Sequence, residues 1–405
     1  MPSLPSALQP RRPAADPHKA REIFSVMTDF DFDRILDRRA SDSLKWSRYA
    51  DPRVLPLWVA DMDFAAPPAV TAALGERCRH SVFGYTVASD ALAEAVCRHL
   101  EVHYRWRIEP AWLVWLPGLV SGLNLACRMV GRPGDAVLTA VPVYPPFLSA
   151  PGHWGLKLQT VPLVRRENCW HLDLERMEAA IEARTRLLLL CSPHNPVGRA
   201  FTTEELTALA DMARRHDLII CSDEIHCDLI LEPGRCHAPI ATLDAQTAAR
   251  TITLMAPSKT YNIPGLGCAF AVIGDAELRR RFRRAMAGIV PDVNLFGYTG
   301  ALAALTGGED WRQAVIAYLR VNRDLVWQRI AAMPGLETTP VEATYLAWID
   351  ARARGWASPA AVFERAGVGL SDGAEFGAPG FVRLNFGCPR ALLEEALNRM
   401  QRALA

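Results

Sequence analysis

The rhythm of apolar and polar positions along this chain separates strands from helices. Between residues 110 and 275, five short runs are apolar on both faces: DAVLTAVPVY (135–144), RLLLLCSP (186–193), LIICSDEI (218–225), TITLMAPS (251–258) and GCAFAVIG (267–274). A strand with one wet face would alternate, so continuous apolar runs predict a sheet covered on both sides and largely parallel. The segment TTEELTALADMARRHD (202–217) carries Leu206, Leu209, Ala210 and Ala213 on one helical stripe, with Thr202 and Glu205 at capping-box spacing. Strand, helix and strand in that order predict βα units. Further along, residues 310–333 read as a long amphipathic helix. Strands in GLETTP, TYLAWIDA and FVRLNFG follow, with a helix near 358–366 and a closing helix over 390–404. The segment 40–62 has no helical partner of its own and is assigned with these later elements. The expected architecture is α/β: a large domain over 63–305 and a small α+β domain from 29–62 and 306–405, preceded by a proline-rich arm over 1–28.

Composition narrows the function. A net charge of +1 with 22% charged residues gives no electrostatic footprint for nucleic acid or an anionic membrane. No apolar window reaches the length of a membrane span. The ten cysteines include no CxxC pair, and several sit inside apolar runs, which argues against metal or disulfide roles and for a reducing, cytoplasmic setting. A sharper bias lies in the cations: of 45 basic residues only four are lysines, Lys19, Lys45, Lys157 and Lys259. Arginine is the default, so a lysine draws attention wherever the chemistry needs an amine that can lose its proton or form an imine.

Four features then share one expected location. Pro117-Gly118 precedes a helical pattern and leaves backbone N–H groups free for a phosphate. Asn195 closes a buried strand in SPHNPVG, Asp223 ends another in CSDEIHCD, and Lys259 follows a third in APSKTYN. Taken singly, these are an ordinary βα turn, an Asn-Pro turn, a helix cap and a solvated strand end. In an open α/β sheet, however, the carboxyl ends of the strands face one crevice, so the three side chains can meet on one ligand. A carboxylate facing a pyridine nitrogen, beside an amine, points to pyridoxal 5′-phosphate (PLP).

These residues resemble the fold-type I PLP enzymes of the aspartate aminotransferase superfamily, and within them the MalY/PatB-like cystathionine β-lyase, or C–S lyase, subgroup. The resemblance runs from about residue 29 to the end, through LPLWVADMDF, FGYT, PVYPPF, LLLLCSPHNPVGR, SDEIHCDL, APSKTYN and FVRLNFGCPR. It implies a PLP-dependent transferase-like fold whose large domain holds a mostly parallel mixed sheet. It implies that Lys259 bonds the cofactor and acts as the catalytic base, that Asp223 pairs with the ring nitrogen, and that Asn195 meets the ring hydroxyl and the substrate. Tyr144 would stack on the ring, His226 would stand where most aminotransferases have a tyrosine, and Leu119, Val120 and Ser258 would contribute to the phosphate cup. Arg383 would clamp the substrate α-carboxylate, with Asp61 also at the substrate. Tyr85 would reach the phosphate across the interface of a homodimer. The distal wall of the substrate pocket is expected from 287–298 and from the 40–60 region.

One departure from the wider superfamily is informative: Leu266 and Gly267 stand where many aminotransferases carry a phosphate-binding arginine after the lysine. This matches the lyase subgroup and implies β-elimination from a thioether amino acid to a thiol, pyruvate and ammonia. An aminotransferase with the same cofactor is the alternative, and a PLP-fold binding protein without turnover is a third reading. The lack of an appended DNA-binding module in the sequence weighs against the third.

Overall fold

The computed structural model describes residues 30–404, so the arm expected over 1–28 lies outside the described residues. After a mostly irregular segment come α1 (Pro68–Arg79) and α2 (Asp90–Tyr104). The large sheet follows, with β1 (Leu113–Leu116), α3 (Leu119–Val130), β2 (Ala136–Val141), β3 (Lys157–Pro162) and β4 (Thr185–Cys191). It continues through α4 (Thr203–Arg215), β5 (Ile219–Asp223), β6 (Thr251–Met255) and β7 (Ala269–Val272). The strand order is β1-β7-β6-β5-β4-β2-β3. Strands β2 to β6 pair in parallel, and β7 runs antiparallel to both its neighbours.

Each of the five apolar runs forms a strand; four strands lie inside their runs, β4 starts one residue ahead of its run at Thr185, and each strand is shorter than its run. Pro142, Pro193 and Pro257 fall just beyond the ends of β2, β4 and β6, where a residue without an N–H cannot extend the ladder. The chain therefore leaves the sheet early at the edge where Asn195, Asp223 and Lys259 sit. Helix α4 starts with the expected capping box, Thr202 Oγ1 accepting from Glu205 N (3.2 Å) and Glu205 Oε2 accepting from Thr202 N (2.8 Å). Its stripe of Leu206, Leu209, Ala210 and Ala213 packs in one cluster with Leu188, Leu190 and Ile220 of β4 and β5. On the other face α3 lies hard against β6, because Gly122 has no Cβ to strike Leu254, which would stand 2.7 Å away.

The rest of the chain forms α5 (Leu295–Gly307), α6 (Glu309–Ala331), β8 (Glu337–Thr338), β9 (Leu346–Asp350), α7 (Pro359–Arg365), β10 (Ser371–Asp372), β11 (Phe381–Asn385) and α8 (Arg390–Arg402). Its sheet is antiparallel in the order β8-β9-β11-β10. Residues Leu55–Pro56 pair in parallel with Val368–Gly369 beside it. Phe32 and Phe64 pack edge-on with Trp311 and Tyr318 of α6. Held at both ends, the segment 58–61 is drawn across the strand ends of the large sheet.

Candidate active site

A cavity of about 260 Å³ opens at those strand ends. It is lined by Lys259, Asp223, Asn195, His226, Tyr144, Leu119, Val120, Ser258 and Arg383, so nine of the eleven residues expected at the site converge there. Register explains the convergence. Cys191 at the end of β4 pairs with Asp223, and Asp223 pairs with Leu254 near the end of β6. Asn195 and Lys259 each follow their strand by four residues, which places all three on one edge. Arg383 arrives from the other sheet on β11. Its Nη1 donates to Asn195 Oδ1 (3.0 Å) and its Nη2 to the Trp58 carbonyl (2.7 Å), and its guanidinium stands 4.7 Å from the Phe376 ring centre.

The electrostatics are those of charges without counter-ions. Lys259 Nζ donates to the Ala60 carbonyl at 2.6 Å and makes no ion pair among the described residues. Burial pushes its amine down to about 8, with the Arg383 charge adding to the shift and Asp61 and Asp223 opposing it. Burial pushes the Asp223 carboxyl up to about 7 against the Ile225 N–H bond (3.1 Å) and the Lys259 charge. Burial lowers Arg383 to about 10, still well above neutrality. His226 is held down to about 3 by burial and then by Lys259 and Arg383, so its imidazole is neutral.

A phosphorylated pyridine aldehyde fits these residues. Gly118 starts α3 without a side-chain cap and with open space before it, leaving the first N–H groups for a phosphate. His226 Nδ1 and Arg383 Nε are buried without hydrogen-bond partners in the protein. Gly267, at φ +65°, closes the turn after Lys259 in the left-handed region, with the Pro117 carbonyl 3.3 Å from where a Cβ would stand. A side chain there would crowd the phosphate end.

Two expected residues lie elsewhere. Asp61 is outside the lining: its carboxylate takes Arg38 at 2.7 Å and lies 3.6 Å from Lys45 Nζ, two cations that draw it away from the cavity. Its link to the site is the long-range charge felt by Lys259. Tyr85 sits in an irregular segment, fully exposed, and does not reach the cavity of its own chain. From the 40–60 region, Val59 and Ala60 line the cavity, whereas no residue of 287–298 does. Asn294 of that stretch instead braces the Leu266 carbonyl at 2.7 Å.

Several contributors had no signal in the sequence. The Trp58 and Ala60 carbonyls hold the two cations, Tyr345 Oη steadies the Ala60 carbonyl at 3.0 Å, and Ser371 Oγ lies 3.3 Å from Arg383. Backbone acceptors carry no residue-type signature; only the LPLWVADMDF motif marked their neighbourhood.

A family model for aminotransferase class I and II matches residues 52–400. Cystathionine β-lyase PatB of Bacillus subtilis is 34% identical over 390 residues, covering 92% of this chain and all of PatB. A crystal structure of OvoB superposes with a TM-score of 0.91 at 49% identity, covering 93% of this chain and 99% of that one. Cystalysin of Treponema denticola, solved with pyridoxal 5′-phosphate, gives a TM-score of 0.88 at 31% identity over 93% and 98% of the two chains.

Proposed function

The chain belongs to the aminotransferase class I and II family, and from that premise we propose a PLP-dependent carbon–sulfur β-lyase. It cleaves cystathionine or related cysteine S-conjugates to a thiol, pyruvate and ammonia. The observation that carries this reading is the meeting of Lys259, Asp223, Asn195 and Arg383 in one cavity where, among the described residues, the lysine and the arginine are the cations of the lining and have no carboxylate partner within ion-pair distance. The similarity to PatB directs the chemistry toward elimination.

When bound, PLP supplies an aldehyde for the substrate amine and an electron sink for the electrons left at Cα. The protein does the rest. Arg383 presents a planar fork to the α-carboxylate, held in orientation by Asn195 Oδ1 and the Trp58 carbonyl. Asn195 keeps its amide N–H₂ free for the ring hydroxyl. Asp223, costly as a buried anion by itself, would be stabilised by a protonated ring nitrogen and would keep that nitrogen protonated. Lys259, with its pKa lowered to about 8, takes the Cα proton onto Nζ as general base. Leu119, Val120 and Ser258 would hold the phosphate and Tyr144 would cover the ring, with neutral His226 offering its unpartnered nitrogen nearby.

We further propose a homodimer in which Tyr85 completes the neighbouring site. The irregular segment around it exposes Val82, Phe83 and Val87 together, an apolar strip suited to a protein interface. A reducing, cytoplasmic setting agrees with ten free cysteines. Among the described residues no helix is long and apolar enough to cross a membrane.

Two incubations test the reaction. Cystathionine should yield pyruvate and free thiol, whereas an amino donor with a 2-oxo acid should exchange amino groups slowly or not at all. Rapid exchange without thiol release would establish the aminotransferase instead. For the shared site, mixing inactive Lys259→Ala and Tyr85→Ala chains should recover part of the activity in hybrid dimers; no recovery would remove Tyr85 from the neighbouring site.

A further inference from the structure

A second cavity, about 350 Å³, lies between the end of α2, the 227–237 segment and α6. That is room for a small ligand. Its inner wall belongs to the same chain segments that carry the catalytic groups. Asp228 follows His226 by two residues, and its Oδ2 accepts from Oγ1 of Thr260, the residue after Lys259, at 3.2 Å. Its Oδ1 lies 2.9 Å from His99 Nε2 and accepts from the Tyr104 hydroxyl. Burial alone would raise the Asp228 carboxyl, but the His99 contact and the Arg312 charge hold it far below the usual carboxylate range. His237 Nε2, also in the wall, stands 2.7 Å from Oε2 of Glu224, the neighbour of Asp223.

The outer wall carries three arginines with unequal partners. Arg312 is gripped twice by Glu309, at 2.6 and 2.8 Å. Arg235 shares Glu342, at 3.2 Å, with Arg199, which lies closer at 2.6 Å. Arg320 spends only Nε, on the Leu231 carbonyl at 2.8 Å, and has no ion pair among the described residues. Burial and the nearby Arg323 charge both disfavour its protonated form. Such a guanidinium, with its planar pair of terminal N–H₂ groups unspent, matches a bidentate oxyanion.

We propose that this cavity is a second ligand site that takes a small oxyanion, carboxylate or phosphate, on Arg320 and Arg235, and that its occupancy is felt at Lys259 through the Asp228–Thr260 hydrogen bond. The inference does not depend on whether the reaction is elimination or amino transfer.

The test uses the full chain loaded with its cofactor, titrated with inorganic phosphate or succinate in a calorimeter. Either probe should bind, and the preferred one identifies the oxyanion class. Arg320→Gln should weaken that binding at least tenfold, while Arg383→Gln, altered in the other cavity, should keep it. Unchanged binding in Arg320→Gln, or loss only in Arg383→Gln, would overturn the site. Coupling is read from the pH midpoint of the cofactor's visible absorbance. Saturating probe should move that midpoint in the wild-type chain and in Thr260→Ser, which retains the hydroxyl, and should not move it in Thr260→Val. A midpoint that ignores the probe in the wild-type chain, or that still moves in Thr260→Val, would overturn the coupling.

Discussion

Lys45 and Lys259 are two scarce lysines drawn into the interior, and they are treated in opposite ways. Lys45, fully buried, bonds Asp63 at 2.7 Å and the Asp61 carbonyl at 3.1 Å. Arg38 joins the same node through Asp61 and Asp63, so two cations face two anions. Lys259 donates to one carbonyl and makes no ion pair among the described residues, Asp61 and Asp223 acting on it only from a distance. Two equally buried arginines repeat the contrast. Arg199 stands between Glu205 (2.5 Å) and Glu342 (2.6 Å), whose charges outweigh burial and raise its pKa, whereas Arg383 has neutral partners and falls to about 10. A buried cation supplied with its anion is finished structure. One left without an anion costs stability until a ligand brings the missing charge. The two uncompensated cations share a cavity, and that difference separates the site from the scaffold.

Substitutions at these four positions sharpen the contrast. Lys259→Ala should abolish both the cofactor's covalent absorbance and pyruvate release while leaving the fold intact; surviving pyruvate formation would remove Lys259 from the chemistry. Lys45→Ala should do the reverse, lowering unfolding free energy by about 3–5 kcal/mol, because Asp61 and Asp63 are left with Arg38 as the single cation between two carboxylates. In denaturant melts the midpoint should drop, and the molecules that remain folded should still show the cofactor band. Arg383→Gln should lower kcat/KM by roughly 30-fold to several thousandfold, corresponding to about 2–5 kcal/mol for a buried charge pair losing one partner. The loss should fall on substrates bearing a free α-carboxylate and spare cofactor binding; an equal loss on an esterified substrate would contradict the clamp.

The smallest effect is one of sign. In the cofactor-free protein the Lys259 amine has its pKa lowered to about 8, while in the unfolded chain it titrates near 10.5. Between those values the unfolded state binds more protons, so this group makes the native state gain stability as pH rises. Lys259→Met should therefore be more stable than the wild-type chain below pH 8, by roughly 3 kcal/mol or less, and the advantage should fade toward pH 10.5. Melts of both chains across that range, after removal of the cofactor, would show it. A constant difference would mean that water in the cavity already solvates the amine.

Much of the fold was legible because its signals are local. Apolar runs without alternation marked the central strands, and Thr202 with Glu205 marked the start of α4. The strand ends were overrun because hydrophobicity continues past the point where Pro142, Pro193 and Pro257 remove the hydrogen-bond donor. Asn195, Asp223 and Lys259 could be grouped because parallel strands expose their carboxyl ends together, a consequence of topology that local pattern already implies. The same reasoning could not tell Lys45 from Lys259 by type, since both are rare and both end up inside.

Residue types and their periodicity thus settled the layers of the large sheet, the strand-end position of its three chemical groups and the scarcity of amines. Through-space packing settled the charges. It placed Arg383 against Asn195 across 188 residues of chain, gave Asp61 to Arg38 instead of the cavity, and drew the Trp58 and Ala60 carbonyls over the two uncompensated cations. The pKa of a buried group depends on which dipoles and charges surround it in three dimensions. No spacing along the chain encodes that distance, so Lys259 becomes a base near neutral pH only once the chain has folded around it.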